Sequence, residues 1–268
     1  MKSFKIILII MAIAITGVYM VTIASAQGNG EYTDFSFPGV SSVEVDGSII
    51  PTRIMPSSDG ISYVEKQNWP ENVETEIYRR GSKLIVKVAV KPFTMTVNSQ
   101  HARLLIRVPL NADVSVDLST GSITAENLQA DKFRFKTSTG RINMSGLTGS
   151  INAETSTGSV DASNIQGRLT INTSTGSVDL EKTMGVIAVR TSTGSIRGDR
   201  VDAETGSRFT CTTGSINLDL TDESLTVEGE TNTGTLRMFG QSFRKKGKTG
   251  NGRADIYVKA GTGSIELY

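Results

Sequence analysis

Thr173-Ser174-Thr175-Gly176-Ser177-Val178 is one copy of a phrase that returns through the second half of the chain. It recurs at Thr137 to Ile142, Thr155 to Val160 and Thr191 to Ile196, begins at Ser119 to Ile123, and loosens at Cys211 to Ile216, Thr231 to Leu236 and Ala260 to Ile265. Its glycines are Gly121, Gly140, Gly158, Gly176, Gly194, Gly214, Gly234 and Gly263, spaced by 18 to 20 residues until a longer final gap. A fixed period of this length marks a repeat protein. Gly149, Gly167 and Gly185 fall midway between phrase glycines, so each repeat has two halves.

Within a half, apolar and polar residues alternate, as in Leu169 and Ile171 or Ile187 and Val189. Period two with a glycine at each break predicts a short strand and a tight corner. Continuing the alternation turns the position three before each phrase glycine inward. That position holds Leu118, Thr137, Thr155, Thr173, Thr191, Cys211, Thr231 and Ala260. Small or β-branched side chains suit a column stacked inside a solenoid, with rungs ~4.8 Å apart. Cys211 reads as a buried stand-in for threonine. The glycines read as structural corners, where positive φ or close backbone approach is needed.

The fold class this predicts is all-β: a single-chain parallel β-solenoid with 18–20-residue rungs, coiled right-handedly as parallel connections are. An antiparallel meander of nine-residue hairpins is the structural alternative. Residues 111–268 form the regular repeats, and 27–110 an irregular β-rich N-terminal cap interrupted by Pro51, Pro56, Pro70 and Pro92. Solenoid ends must be atypical because an open ladder edge invites pairing. The longer gap before Gly263 predicts an insertion at Phe239 to Arg253, and the stretched spacing at Asp199 to Glu204 a bulged corner.

Residues 1–26 read as a signal peptide: Lys2 and Lys5, an apolar run from Ile6 to Ala24, then Ala24-Ser25-Ala26. An uncleaved N-terminal membrane anchor is the alternative; after cleavage no membrane span is expected. From 28 basic and 27 acidic residues, cleavage removes two lysines and no acid, taking the net charge from +1 to −1. Such a balance does not ask for nucleic acid as partner. One cysteine allows no internal disulfide, so the ladder and core must hold an exported chain together.

Chemical motifs are few. Gly247-Lys248-Thr249 resembles the end of a phosphate-binding loop, but Ser242 stands where the first glycine is required. The nine-residue spacing lacks the paired glycines and recurring aspartates of a calcium β-roll. An ice-binding Thr-x-Thr face needs both threonines outward, whereas the phase turns the first one in. His101 is the only histidine and has no nucleophile signature near it. Asp199 with Asp202, and Asp222 with Glu223, are the local carboxylate pairs that could hydrolyse a glycan. Trp69 reads as packing in the cap, and Arg244 to Lys248 as a solvated loop whose functional alternative is docking an acidic polymer. No catalytic residue, cofactor or metal is assigned.

The leader, the loose β entry and Arg107-Val108-Pro109 ahead of Ser-Thr-Gly-Ser-Ile phrases resemble the bacterial putative-adhesin family of β-strand repeat proteins of unknown function. The resemblance covers residue 35 onward. It implies an exported solenoid and carries over no catalytic residue. The function expected is therefore a non-enzymatic cell-envelope protein, periplasmic or at the cell surface, binding an envelope polymer or cell-surface ligand through a repetitive polar face. The residues nominated for that stripe are Asn143, Asn152, Asp161, Asn172, Asp179, Arg197 and Asn217, short polar side chains that follow the glycines. The alternatives are a glycan-active enzyme on a β-helix, or end-to-end self-association through an open last rung at Ser264 to Tyr268.

Overall fold

A computed structural model describes residues 18–19, 33–47, 49–92, 101–222, 224–250 and 255–268. The leader read at residues 1–26 lies outside the described residues, apart from Val18–Tyr19. Among the described residues there is no helix; the protein is all-β and solenoid-like. Two compact units divide the chain, residues 1–131 and 132–268.

In the second unit, alternation becomes a stacked interior. Ile151 lies beside Leu169 and Leu169 beside Ile187, all in parallel register. After the phrase corner, Ile142, Val160, Val178, Ile196 and Ile216 form a second buried column, again by parallel pairing. Burying each such side chain contributes about 1.5–3 kcal/mol, and similar aliphatic shapes on successive rungs let the columns pack closely. Thr137, Thr155, Thr173, Thr191, Cys211 and Thr231 are buried, as the phase predicts. Their polar atoms are satisfied across the ladder: Thr155, Thr173 and Thr191 donate to the carbonyls of Gly140, Gly158 and Gly176 at 3.3, 3.4 and 3.2 Å. Cys211 makes the same bond to Gly194 at 3.0 Å.

The phrase glycines stack on one another. A Cβ at Gly158 would lie well under 3.0 Å from the Gly140 carbonyl oxygen, and one at Gly194 would meet Gly176 in the same way. Their φ values of +149° and +142° add a conformation that side chains rarely adopt. A further corner is not marked by a recurring glycine. Gly146, Asn164, Lys182 and Arg200 all have φ between 49° and 64°, so each rung bends a third time. Asparagine and glycine are the usual left-handed residues; lysine and arginine in the later rungs hide the pattern. The predicted bulge is present, with a register shift between Gly198 and Val201.

Rung order departs from chain order at the C-terminal end. Ile256–Thr262 pairs in parallel with Arg208–Thr213 on one side and Val227–Thr233 on the other. Likewise Ile265 pairs with both Ile216 and Leu236. The segment read as an open last rung is therefore interior, which corrects that reading. What lies beyond Val227–Met238 is the insertion. Gln241–Phe243 runs antiparallel along Leu236–Met238, and Lys246–Lys248 along Glu228 to Glu230. The last three residues of the basic run are thus an edge strand rather than a loop; residues 251–253 of the insertion lie outside the described residues.

The first unit repeats the device. Ser42–Gly47 pairs in parallel with both Lys83–Val90 and Asp113–Thr120. Thr52–Pro56 does so with Arg103–Val108 and Ile123–Glu126. Residues 113–120 thus share a ladder with residues 42–47. Val73–Arg80 and Ser62–Gln67 then run antiparallel along Lys83–Val90 and Arg103–Val108. Thr33–Phe37 adds a further antiparallel strand outside Ser62–Gln67, so this end of the ladder does not offer another chain an open parallel template.

Candidate functional site

Two longer sides of each rung in the second unit carry most of its outward polar side chains, and they meet at the phrase glycine. The first face comprises the strands that lead into the glycines, the second the strands that leave them. On the second face, Asn143, Asp161, Asp179, Arg197 and Asn217 stand in one register column. Asn152 and Asn172 do not join them. Asn152 follows a half-repeat glycine, so it lies on the first face beside Thr170. Asn172 lies there too, between Glu154 and Arg190. The nominated stripe is therefore five residues on one face and two on another.

The second face is rich in carboxylates tied to arginine. Arg141 and Asp161 are 3.5 Å apart, Arg197 and Asp179 3.4 Å, and Arg200 reaches both Glu181 and Asp199, at 3.3 and 2.9 Å. Partial burial pushes the Asp161 carboxyl above its ordinary value; Arg141 opposes this and the neighbouring Asp179 adds to it. A shallow cavity of about 350 Å³ lies between Asp179, Arg197, Asp219 and Tyr268.

The first face holds the larger groove, about 470 Å³, lined by Lys136, Glu154, Asn172, Arg190 and the serines Ser156, Ser174 and Ser192. A further cavity of about 320 Å³ continues from Arg190 past Thr210, Thr212 and Lys259 to Gly261. Arg190 stands where the two meet, and among the described residues no carboxylate pairs with it. Glu154 accepts from the Asn152 amide at 2.8 Å. Further along, Glu230 accepts from Lys259 at 3.0 Å and from the Tyr257 hydroxyl at 2.9 Å. Those two bonds, Lys259 foremost, hold its carboxyl below the usual range. Sequence reasoning missed this groove. Its signal was the position four before each phrase glycine, which reads Asp117, Lys136, Glu154, Asn172, Arg190, Thr210, Glu230 and Lys259.

The remaining candidates have ordinary structural roles. Asp199 is bonded by Arg200 and Asp222 by Ser224 at 2.6 Å; Glu223 lies outside the described residues. His101 is exposed, and its carbonyl accepts from Asn68. Trp69 is half-buried, donates to the Val73 carbonyl at 3.0 Å and lies under the Lys66 ammonium. Lys248 ends an edge strand rather than opening a helix. Burial pushes the Cys211 thiol up, away from the thiolate. Among the described residues, no group of three His, Cys, Asp or Glu side chains could hold a metal ion.

One solved structure shares the fold, and others align with this chain less well. A putative adhesin from Bacteroides fragilis is similar with a TM-score of 0.55 at 14% identity, over 90% of this chain and 98% of that one. A putative cell adhesion protein from Clostridium sporogenes aligns at 12% identity over 89% and 99% of the two chains, with a TM-score of 0.26. One from Parabacteroides distasonis, a putative adhesin, aligns at 12% identity over 90% and 98%, with a TM-score of 0.28. No curated protein matches the chain. The Toastrack DUF4097 profile matches residues 40–268, from the first parallel strand to the last. On that match, which takes in both units, the chain belongs to the Toastrack DUF4097 family.

Proposed function

We propose that this protein is an exported, non-enzymatic binding scaffold of the bacterial cell envelope, a right-handed parallel solenoid presenting repeated side chains to a polymer. One observation carries the reading. Outward positions keep their register over successive rungs, as in Asn143, Asp161, Asp179, Arg197 and Asn217. Outward polar positions therefore recur at ~4.8 Å, a spacing suited to a repeating ligand and to many weak contacts acting together. The leader at residues 1–26 and the adhesin designations of the fold relatives support export to the periplasm or cell surface.

Co-sedimentation of the purified protein with peptidoglycan, outer-membrane vesicles and whole cells tests the proposal. Saturable binding to one fraction is expected. Binding to none would sink it, and release of reducing ends from any fraction would replace it with hydrolysis.

A further inference from the structure

The two faces of the second unit differ in charge. Along the first face Arg134, Lys136, Arg168, Arg190, Arg208 and Lys259 outnumber Glu154, Glu228 and Glu230. Along the second, Asp161, Asp179, Glu181, Asp199, Asp219 and Glu266 are nearly balanced by Arg141, Lys182, Arg197, Arg200 and Arg237. The groove of about 470 Å³ and its continuation of about 320 Å³ both lie on the basic face. We infer that this groove, centred on Arg190, binds an acidic glycan lying across the rungs; the inference rests on the scaffold reading and names its ligand and face.

Three features select that chemistry. First, the cations are sparse and polar groups fill the intervals. Between Lys136 and Arg190 come Glu154 and Asn172, with Ser156, Ser174 and Ser192 alongside. Three rungs separate the two charges, ~14 Å at the ladder spacing. A polymer in which neutral sugars separate the charged ones, each sugar advancing by a distance comparable to one rung, suits such a row. Its carboxylates meet the cations while its hydroxyls find donors and acceptors between them. A denser polyanion would bring charge against Glu154.

Second, Arg190 has no carboxylate partner among the described residues, so its planar fork remains open to a bidentate carboxylate. Third, Gly261 stands where other rungs carry Ser156, Ser174, Ser192 or Thr212. A Cβ there would lie 2.5 Å from the Thr212 carbonyl oxygen, so the continuation past Arg190 stays clear of a side chain. Nucleic acid fits less well. The aromatic ring of this face, Tyr257, is covered by the Arg208 guanidinium at 4.6 Å, leaving it closed to base stacking.

The test titrates the purified protein with hyaluronan, in which charged and neutral sugars alternate, with neutral dextran and with single-stranded poly-dT at low salt, using Arg190→Glu, Arg190→Lys and Lys91→Glu as variants. Arg190 and Lys91 are both exposed, and Lys91 belongs to the first unit; circular dichroism checks that each variant is folded. Saturable, salt-sensitive binding of hyaluronan is expected, weakened about tenfold by Arg190→Glu, largely kept by Arg190→Lys and unchanged by Lys91→Glu. No binding of hyaluronan, equal binding of dextran or poly-dT, or equal weakening by Lys91→Glu each overturns the inference. Undiminished envelope binding by Arg190→Glu overturns the groove but leaves the scaffold reading standing. Absence of envelope binding by the unsubstituted protein, with hyaluronan binding retained, does the reverse.

Discussion

The hydroxyl of Thr191 donates to the carbonyl of Gly176 at 3.2 Å, fifteen residues back and one rung away. The inward side chain of one rung thus satisfies the corner of its neighbour. Replacing Thr191 with valine keeps the shape and removes the donor, and the expected cost is about 1 kcal/mol in denaturant unfolding. Cys211 makes the equivalent bond through sulfur, a weaker donor. Cys211→Thr should therefore leave stability equal or raise it by up to about 1 kcal/mol.

Corner glycines should divide sharply by environment. Alanine at Gly194 would press its Cβ into the Gly176 carbonyl at a φ of +142°, and a loss of about 3 kcal/mol or more is expected. Gly206 also has positive φ, +98°, but a Cβ added there would meet nothing within 4 Å. Alanine at that position should cost only the backbone strain, about 1–2 kcal/mol. Equal losses at the two sites would show that stacking of glycine on glycine is not what the column requires.

The interior placement of the last strand can be read by crosslinking. With Cys211 replaced by serine, cysteines at Asn217 and Glu266 occupy paired positions, within the 4.4–6.8 Å Cα separation a disulfide needs. Cysteines at Asn217 and Arg237 are two rungs apart, ~9.6 Å, and should stay reduced. Efficient oxidation of the second pair would mean that rungs stack in chain order.

Acid titration should separate two carboxylates. Glu230 has its folded pKa lowered from the ordinary 4.5 by Lys259 and Tyr257. Its contribution is therefore present above that value and lost as pH falls through the folded one. Asp161 has its pKa raised from 3.8, so it opposes folding once pH rises through the same range. Glu230→Gln should flatten the acid limb of the stability profile. Asp161→Asn should raise stability at neutral pH and leave the acid end alone, as measured by thermal unfolding from pH 3 to pH 7.

Periodicity made the repeated body legible. Small residues three before each glycine fixed which side chains face inward, and those positions are buried from Thr137 to Thr231. Local pattern carries no information about which rung lies beside which, however. Ile265 looks like the end of a series in the sequence, yet two equally good apolar partners, Ile216 and Leu236, enclose it. The stripe was misplaced for a related reason. Counting residues past a glycine treated phrase and half-repeat glycines alike, although the chain enters different faces after Gly149 and Gly158. Charge on the first face escaped notice because each strand carries a single member of the row, so no local run reveals it.

The order of these rungs also sets a sequence of events during synthesis. Val227–Thr233 has its parallel neighbour in Ile256–Thr262, which leaves the ribosome later. A nascent chain must therefore hold that strand and its hairpin waiting until Ile256–Thr262 arrives, and only then can the ladder close. One late segment thus works as a keystone, joining Arg208–Thr213 to Val227–Thr233, two rungs that chain order alone would have set side by side.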